Sequence, residues 1–237
     1  MPTAAAVIIG NEILSGKFSD ENGPFLIERC RSLGIDMIRM SVIPDDVATI
    51  ATEVIAASQA ADHVFTTGGI GPTHDDTTMA GIAAAFGVEL VRDPALEALI
   101  RQRMGEDVND DALRMAEVPA GTELWTDTGL RFPVVTCRNV VIFPGVPSFL
   151  RAKFDAVSHR FGGVVVQSRR FRTHERESNI AERLRAAQDR WPSIEIGSYP
   201  RYETQPISVV VTMDGRDTEA LDACEAWLRP QFSDASD

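Results

Sequence analysis

The chain's 237 residues make room for one large domain, or for a medium domain with a smaller one. An apolar share of 44% with 24% charged residues is ordinary for a globular protein. The net charge of −12 excludes an electrostatic footprint for nucleic acid or anionic membrane, so any phosphate must be held by local backbone dipoles, a metal ion or a few arginines.

Ala4 to Ile9 is a short, uniformly apolar run and reads as a strand covered on both faces. It stops at Gly10-Asn11-Glu12, and the residues up to Gly23 read as loop. Asn22 is placed to cap the next helix, with Pro24 in its first turn and Gly34 just past its end. Ile35 to Ile43 reads as a second strand closed by Pro44-Asp45-Asp46, and Val47 to Ala60 as a helix with Ile50, Val54 and Ala57 on one face.

Val64 to Thr67 is a third strand, β-branched and aromatic. Gly68, Gly69 and Gly71 follow within four positions, then Pro72, Thr73 and the adjacent carboxylates Asp75 and Asp76, and then a small-residue helix running to Phe86. A strand, a glycine loop and a helix N-terminus expose backbone N–H groups to an anion. Carboxylates at the same spot repel a bare phosphate unless a divalent cation sits between them, so the stretch points to a metal-bridged phosphate or pyrophosphate.

A brief strand, Val88 to Val91, a helix opened by Asp93-Pro94 and a short helix from Asn109 to Ala116 come next. T-E-L-W, F-P-V-V-T-C and N-V-V-I-F then read as short strands, and a helix from Ser148, a candidate N-cap, follows Pro144-Gly145-Val146-Pro147. The alternation of strand and helix predicts an α/β domain with a mostly parallel sheet over residues 1–162. The remainder reads β-α-β-β-α, a small α+β lobe over 163–232 ending in a frayed tail over 233–237. In such a sheet Gly10–Glu12, Pro44–Asp46 and Gly68–Asp76 each follow a strand, so they are expected on one rim.

Cys30, Cys137 and Cys224 are scattered and odd in number, which fits buried thiols in a reducing compartment better than disulfides or a metal site. The first residues lack the basic start of a signal peptide, and no apolar run approaches the ~20 residues that span a bilayer. The expectation is a soluble, cytoplasmic protein with no membrane or nucleic-acid partner.

T-T-G-G-I-G-P-T-H-D-D-T-T at Thr66–Thr78 resembles the signature of the molybdopterin-binding fold family. More narrowly, I-I-G-N-E-I-L-S-G-K-F-S-D-E-N at Ile8–Asn22, V-I-P-D-D at Val42–Asp46 and F-P-G-V-P at Phe143–Pro147 are similar to the N-terminal domain of the competence/damage-inducible protein A group. R-F-P-V-V-T-C-R-N-V at Arg131–Val140 and I-G-S-Y-P at Ile196–Pro200 look like the molybdopterin-binding-like domain at the N-terminus of animal FAD synthase. The resemblance implies a three-layer α/β/α molybdopterin-binding-like domain, homo-oligomerisation, and a small-molecule nucleotide or pterin as partner.

Two chemistries come with it. One branch binds molybdopterin and adenylylates it or inserts the metal. The other resembles a divalent-metal-dependent pyrophosphatase, using Mg, Mn or Co on ADP-ribose-like dinucleotides or FAD. A regulatory module that binds a nucleotide without turnover is a third reading.

On this resemblance Asp76 and Asp45 are the expected metal and catalytic residues, with Asp75 as an extra carboxylate favouring hydrolysis and Glu12 as a water-orienting base or supporting carboxylate. Gly68, Gly69, Gly71, Thr73 and Gly145 are expected to contact phosphate, together with Asn22 unless it only caps its helix. Asp46 and Asp75 read equally well as helix caps. His74 reads as a solvated loop residue, and Arg131 and Arg201 are further candidates for phosphate or adenine contact.

Overall fold

A computed structural model describes residues 1–203 and 205–236. The chain divides into two compact units, Met1–Gly163 and Val164–Asp237. Gly163 stays with the first because its N–H donates to the Leu33 carbonyl.

The first unit is a three-layer α/β/α domain. Its sheet begins with β1 (Thr3–Ile9), a short run, T-A-A-A-V-I-I, buried from Ala4 onward, that alternates between two cores. Ala5, Val7 and Ile9 face one core, Ala4, Ala6 and Ile8 the other. The first core is roofed by α3 (Val47–Ala60), α4 (Thr78–Phe86), α5 (Pro94–Met104) and α6 (Asp110–Arg114), through Ile50, Val54, Ile82, Leu96, Ile100 and Leu113. The second is covered by α2 (Asn22–Ser32) and α7 (Pro147–Val157), through Leu26, Cys30, Leu150 and Phe154. A glycine at position 81 lets α4 close onto α3, since a Cβ there would fall 2.3 Å from Ile50 Cγ2.

The other strands are β2 (Asp36–Ile43), β3 (His63–Thr67), β6 (Glu123–Trp125), β7 (Val134–Cys137) and β8 (Val140–Phe143), and the sheet order is β2-β1-β3-β8-β7-β6. The four strands β2, β1, β3 and β8 are parallel; β7 runs antiparallel to β8, and β6, antiparallel to β7, returns to the common direction. The chain moves outward from β1 to β2 and then returns across β1 to β3. This reversal makes the carboxyl ends of β1 and β3 the crevice where ligands collect in open α/β sheets.

Several expectations are corrected in detail. A one-turn helix, α1 (Asn11–Leu14), occupies part of the stretch read as loop. The brief strand falls at Leu90–Arg92 (β4), where it pairs with an unforeseen partner, β5 (Glu117–Pro119). Ser148 is not the cap of α7: Val146 flanks the helix and Pro147 opens it, proline's fixed φ being already helical. Asn22 is not a cap either. It is the first residue of α2, and the Asp20 carboxylate accepts from the N–H groups of Asn22 and Gly23 instead.

The second unit is an α+β lobe. A three-stranded antiparallel sheet, in the order β10 (Glu195–Arg201), β11 (Ser208–Gly215), β9 (Gln167–Thr173), carries α8 (Glu177–Arg190) and α9 (Thr218–Leu228). Its core joins Phe171, Val209, Val211 and Met213 to Ile180, Leu221, Cys224 and Leu228. The tail expected to fray is tied down over its described residues. Asp234 accepts from the Thr173 hydroxyl at 2.6 Å and the His174 N–H at 2.7 Å, and Ser236 pairs with Arg172. Phe232 is buried against Phe171, which supplies the apolar anchor that a polar tail composition conceals. Asp237 lies outside the described residues.

Among the described residues no helix is long and apolar enough to cross a membrane. All three cysteines are buried and free. Burial pushes the Cys30 thiol up to about 12, so it packs as a small hydrophobe.

Candidate functional site

Four loops meet at the carboxyl ends of the parallel strands. The Gly10 N–H donates to Ile43 O at 3.1 Å, joining the loops after β1 and β2. The Asn11 N–H donates to Asp45 Oδ2 at 2.7 Å, reinforcing that junction. On the other side the Gly68 N–H donates to Phe143 O at 3.3 Å, and a Cβ on Gly145 would stand 3.2 Å from Gly68 Cα. Loops after β3 and β8 therefore touch backbone to backbone.

Gly68 and Gly69 turn the chain through φ of 101° and 61°. A Cβ on Gly68 would fall 2.1 Å from the Ile9 carbonyl oxygen, and one on Gly69 2.4 Å from Thr78 Oγ1. Only glycine meets both demands. Thr78 closes the loop onto α4: its hydroxyl donates to Gly68 O at 2.8 Å and its N–H to Gly69 O at 3.0 Å. Among the described residues the N–H groups of Gly69, Ile70 and Gly71 have no acceptor, leaving them available to an anion.

The acidic residues divide into distinct roles. Asp46 is a cap: its carboxylate accepts from the Thr49 hydroxyl at 2.7 Å and the Thr49 N–H at 2.9 Å, which lowers its pKa from the usual carboxylate value. Asp45, one residue earlier, points the other way. Burial first, then the negative fields of Glu12, Asp75 and Asp76, raise its pKa against the lowering effect of the Asn11 N–H. Four carboxylates from three loops thus share one field. Asp45 Oδ1 would lie 3.5 Å from a Cβ on Gly69, and the Glu12 carboxylate folds over Gly10, where a Cβ would meet its Oε1 at 2.7 Å.

Asp76 stands over Gly71, with carboxylate atoms 2.8 to 3.2 Å from where a Cβ would be. Its Oδ2 accepts from the Thr73 N–H at 2.8 Å and from the Thr73 hydroxyl at 2.5 Å. Thr73, expected to donate to phosphate, is exposed and gives its hydroxyl and N–H to Asp76 within the turn. Asp75 is exposed, and the Thr73 hydroxyl and its own N–H hold its carboxyl below the ordinary range. His74 is also exposed on this turn.

No group of three His, Cys, Asp or Glu side chains among the described residues is gathered tightly enough to hold a cation unaided. Asp45, Asp75 and Asp76 are therefore not a closed three-ligand cage. They fit a different arrangement: a hard cation such as Mg²⁺ takes one or two carboxylates and completes its shell with water and phosphate oxygens. Asp45 and Asp76 flank the glycine loop as that arrangement requires.

Asn22 locks the rim. Its side-chain N–H group donates to Thr67 Oγ1 and to Gly145 O, both at 2.8 Å, while Thr67 Oγ1 donates to Pro144 O at 3.1 Å. Asn22 is 6% exposed, and its Oδ1 is buried without a partner among the described residues. Replacing it by alanine removes both bonds, leaves the buried Thr67 hydroxyl only its bond to Pro144 and opens a void where the amide was. Asn22→Ala is expected to lower unfolding stability by about 2–3 kcal/mol, measured by urea denaturation at unchanged m-value.

The electrostatic crowding has a measurable sign. Because its folded pKa is raised, Asp45 binds its proton more tightly in the folded chain. The folded state therefore loses stability as pH rises from the ordinary carboxylate range through that raised value. Asp45→Asn is expected to raise Tm by about 1–3 °C at pH 7, a modest figure because the group is partly solvated. The gain should vanish at pH 3, where both forms are neutral.

A cleft of about 510 Å³ opens beside the glycine turn, lined by Thr73 and His74 on one side and by Met104, Asn109, Arg114 and Met115 on the other. Arg114 and the two methionines were not legible as site residues in the sequence. They reach the glycine turn only because α5 and α6 pack over the sheet. Arg131 precedes β7, whose start lies at the same edge as the end of β8, whereas Arg201 belongs to β10 in the second unit.

A switch-point crevice, a glycine loop with available N–H groups and carboxylates from three loops together define an open α/β domain with its candidate site at the carboxyl ends of the strands. Residues 5–161 match the family model for a probable molybdopterin binding domain. Residues 165–236 match the middle domain of FAD synthase. The chain belongs to the molybdopterin binding domain family. It is 35% identical to a protein of Archaeoglobus fulgidus over 91% of both chains. It is 33% identical to a probable FAD synthase of Caenorhabditis elegans, over 96% of this chain and 49% of that protein, so it spans about half of that relative's length. The crystal structure of the protein CinA from Thermoplasma acidophilum shares 30% identity and a TM-score of 0.63, covering 67% of this chain and 97% of that one. The likeness read from the sequence to both groups, and the mostly parallel α/β fold, are borne out.

Proposed function

We propose that the chain is a divalent-metal-dependent nucleotide pyrophosphatase that hydrolyses the phosphoanhydride of a dinucleotide such as ADP-ribose or FAD. One observation carries this reading: Glu12, Asp75 and Asp76 crowd Asp45 beside a glycine loop whose N–H groups await an anion. Those two features repel each other's ligands unless a cation joins them. A Mg, Mn or Co ion between Asp45 and Asp76 would polarise a phosphoryl oxygen and acidify its water. The N–H groups of Gly69 to Gly71 hold the phosphate, Gly145 keeps the neighbouring loop close, and Asn22 fixes both loops in place. The methionine-lined cleft beside Thr73 suits the nucleoside. Water adds to one phosphorus, the bridging P–O bond breaks, and two monophosphates leave.

The test is a screen of ADP-ribose, FAD and NADH against Mg, Mn and Co, read by chromatography of the monophosphate products. Intact substrates under every metal would overturn the reading. The family model's description favours a second one, molybdopterin binding or adenylylation. Tight pterin binding with all dinucleotides left intact would select it, and nucleotide binding by calorimetry without product would select a regulatory module.

A further inference from the structure

The sheet of the second unit is covered on one face only. Phe171, Val209, Val211 and Met213 point into the core beneath α8 and α9, so the intervening residues of the same strands lie on the opposite face. No helix among the described residues of this unit covers that face. Its register sets Arg172, Val210 and Tyr199 side by side across the three strands, and Arg170, Thr212 and Gly197 side by side in the next row. Arg170, Arg172 and Tyr199 are exposed, Tyr199 at 55%. Arg201 follows Tyr199 by two positions and shares its side of the strand.

Two details give this face a recognisable chemistry. The first is the lie of the tyrosine. A Cβ on Gly197 would fall 2.9 Å from Tyr199 Cε2 and 3.0 Å from its hydroxyl oxygen, so the ring lies along the strand over Gly197 instead of standing off the sheet. A tyrosine laid down in this way offers its outer π-face to a ligand. The second is the arginines. Arg169, on the helical side, is engaged by Asp222 and Glu225, whereas no ion pair among the described residues takes up Arg170 or Arg172. The acidic groups of this face, Asp214 and Glu195, stand opposite each other in the row beyond Arg170, on the side away from Arg172 and Tyr199, and the Ser168 hydroxyl donates to Asp214.

We propose that this open face is a second ligand site, one that takes a free nucleotide with its base stacked on Tyr199 and its phosphate on Arg170 and Arg172. Arg172 and Tyr199 are two strand spacings apart, about 10 Å, a span that a guanidinium and an aromatic ring close over one nucleotide. Stacking on an aromatic ring accepts any base, and guanidinium groups pair with phosphate in bidentate fashion. A single ring favours a mononucleotide over a nucleic-acid strand, which needs successive platforms. The chain's net charge of −12 also opposes a long polyanion. The site is independent of the glycine-loop crevice and stands whether or not the chain hydrolyses dinucleotides.

The experiment is a titration of the full chain with AMP, followed by amide chemical shifts in ¹⁵N–¹H NMR spectra. Saturable shifts at Gly197, Val210, Thr212 and Arg172 are expected. Tyr199→Ala should weaken that binding about tenfold, and Gly197→Ala should weaken it too by lifting the ring while leaving it present. Arg170→Gln with Arg172→Gln should bring AMP binding down to the level of adenosine. None of these variants should change the shifts at Gly69 and Gly71 that report the other crevice. AMP shifts confined to the glycine loop, or unchanged affinity in Tyr199→Ala, would overturn the proposal. So would single-stranded oligoadenylate binding this face more tightly than AMP, which would make it a nucleic-acid surface.

Discussion

Asp76→Asn is expected to reduce metal-dependent hydrolysis of ADP-ribose or FAD by a factor of about 10³, the scale on which loss of one charge-stabilising group acts in the transition state. The asparagine keeps an oxygen in the place of Oδ2, so the Thr73 N–H and hydroxyl retain their acceptor and the turn survives. What disappears is the negative charge beside Gly71. Asp76→Ala should fall as far in rate and also lose the turn, with Tm lower by about 2–4 °C. Product formation per minute and thermal unfolding, measured on the same preparations, separate the two effects. If Asp76→Asn turns over within threefold of the parent chain, Asp76 does not hold the cation, and the carboxylate ring around Asp45 has another purpose.

The largest effect on stability is expected at Gly68. Any side chain there must adopt φ near 101° and place its Cβ 2.1 Å from the carbonyl oxygen of Ile9, a backbone atom at the end of β1, which is paired on both sides. Gly68→Ala should therefore lower stability by about 3–5 kcal/mol and Tm by about 10 °C. Gly87 is the control. It has a positive φ of 64° at the end of α4, but a Cβ there meets nothing within 4 Å. Gly87→Ala should lower stability by about 1 kcal/mol, the conformational term alone. Equal Tm values for the two variants would mean that the loop does not press against β1.

The difference between these glycines marks the limit of sequence reading. Both look alike in the chain, one after a strand and one after a helix. Only the approach of Ile9, 59 residues away from Gly68, makes one of them irreplaceable. Asn22 teaches the same lesson. Before a helix an asparagine reads as a cap, yet its side chain runs to Thr67 and Gly145, and Asp20 does the capping. Asp45 and Asp46 cannot be told apart by position, but Thr49 takes one and Asn11 the other.

Local chemistry was legible where it depended on neighbours in the chain. The apolar runs of β1 and β3 announced buried strands, Asp93-Pro94 announced the start of α5, and T-T-G-G-I-G-P-T-H-D-D announced a glycine turn between a strand and a helix. The sequence alone determined that much, because strand period, helix capping and positive φ are properties of a few adjacent residues. Tertiary structure alone decided which loops bring their carboxylates together, that Asn22 ties Thr67 to Gly145, that the tail docks through Phe232 and Asp234, and that Tyr199 shares a sheet row with Arg172. Each of those depends on residues distant in sequence being brought within a few ångströms, and pairwise distance across a fold is not written in the order of the chain.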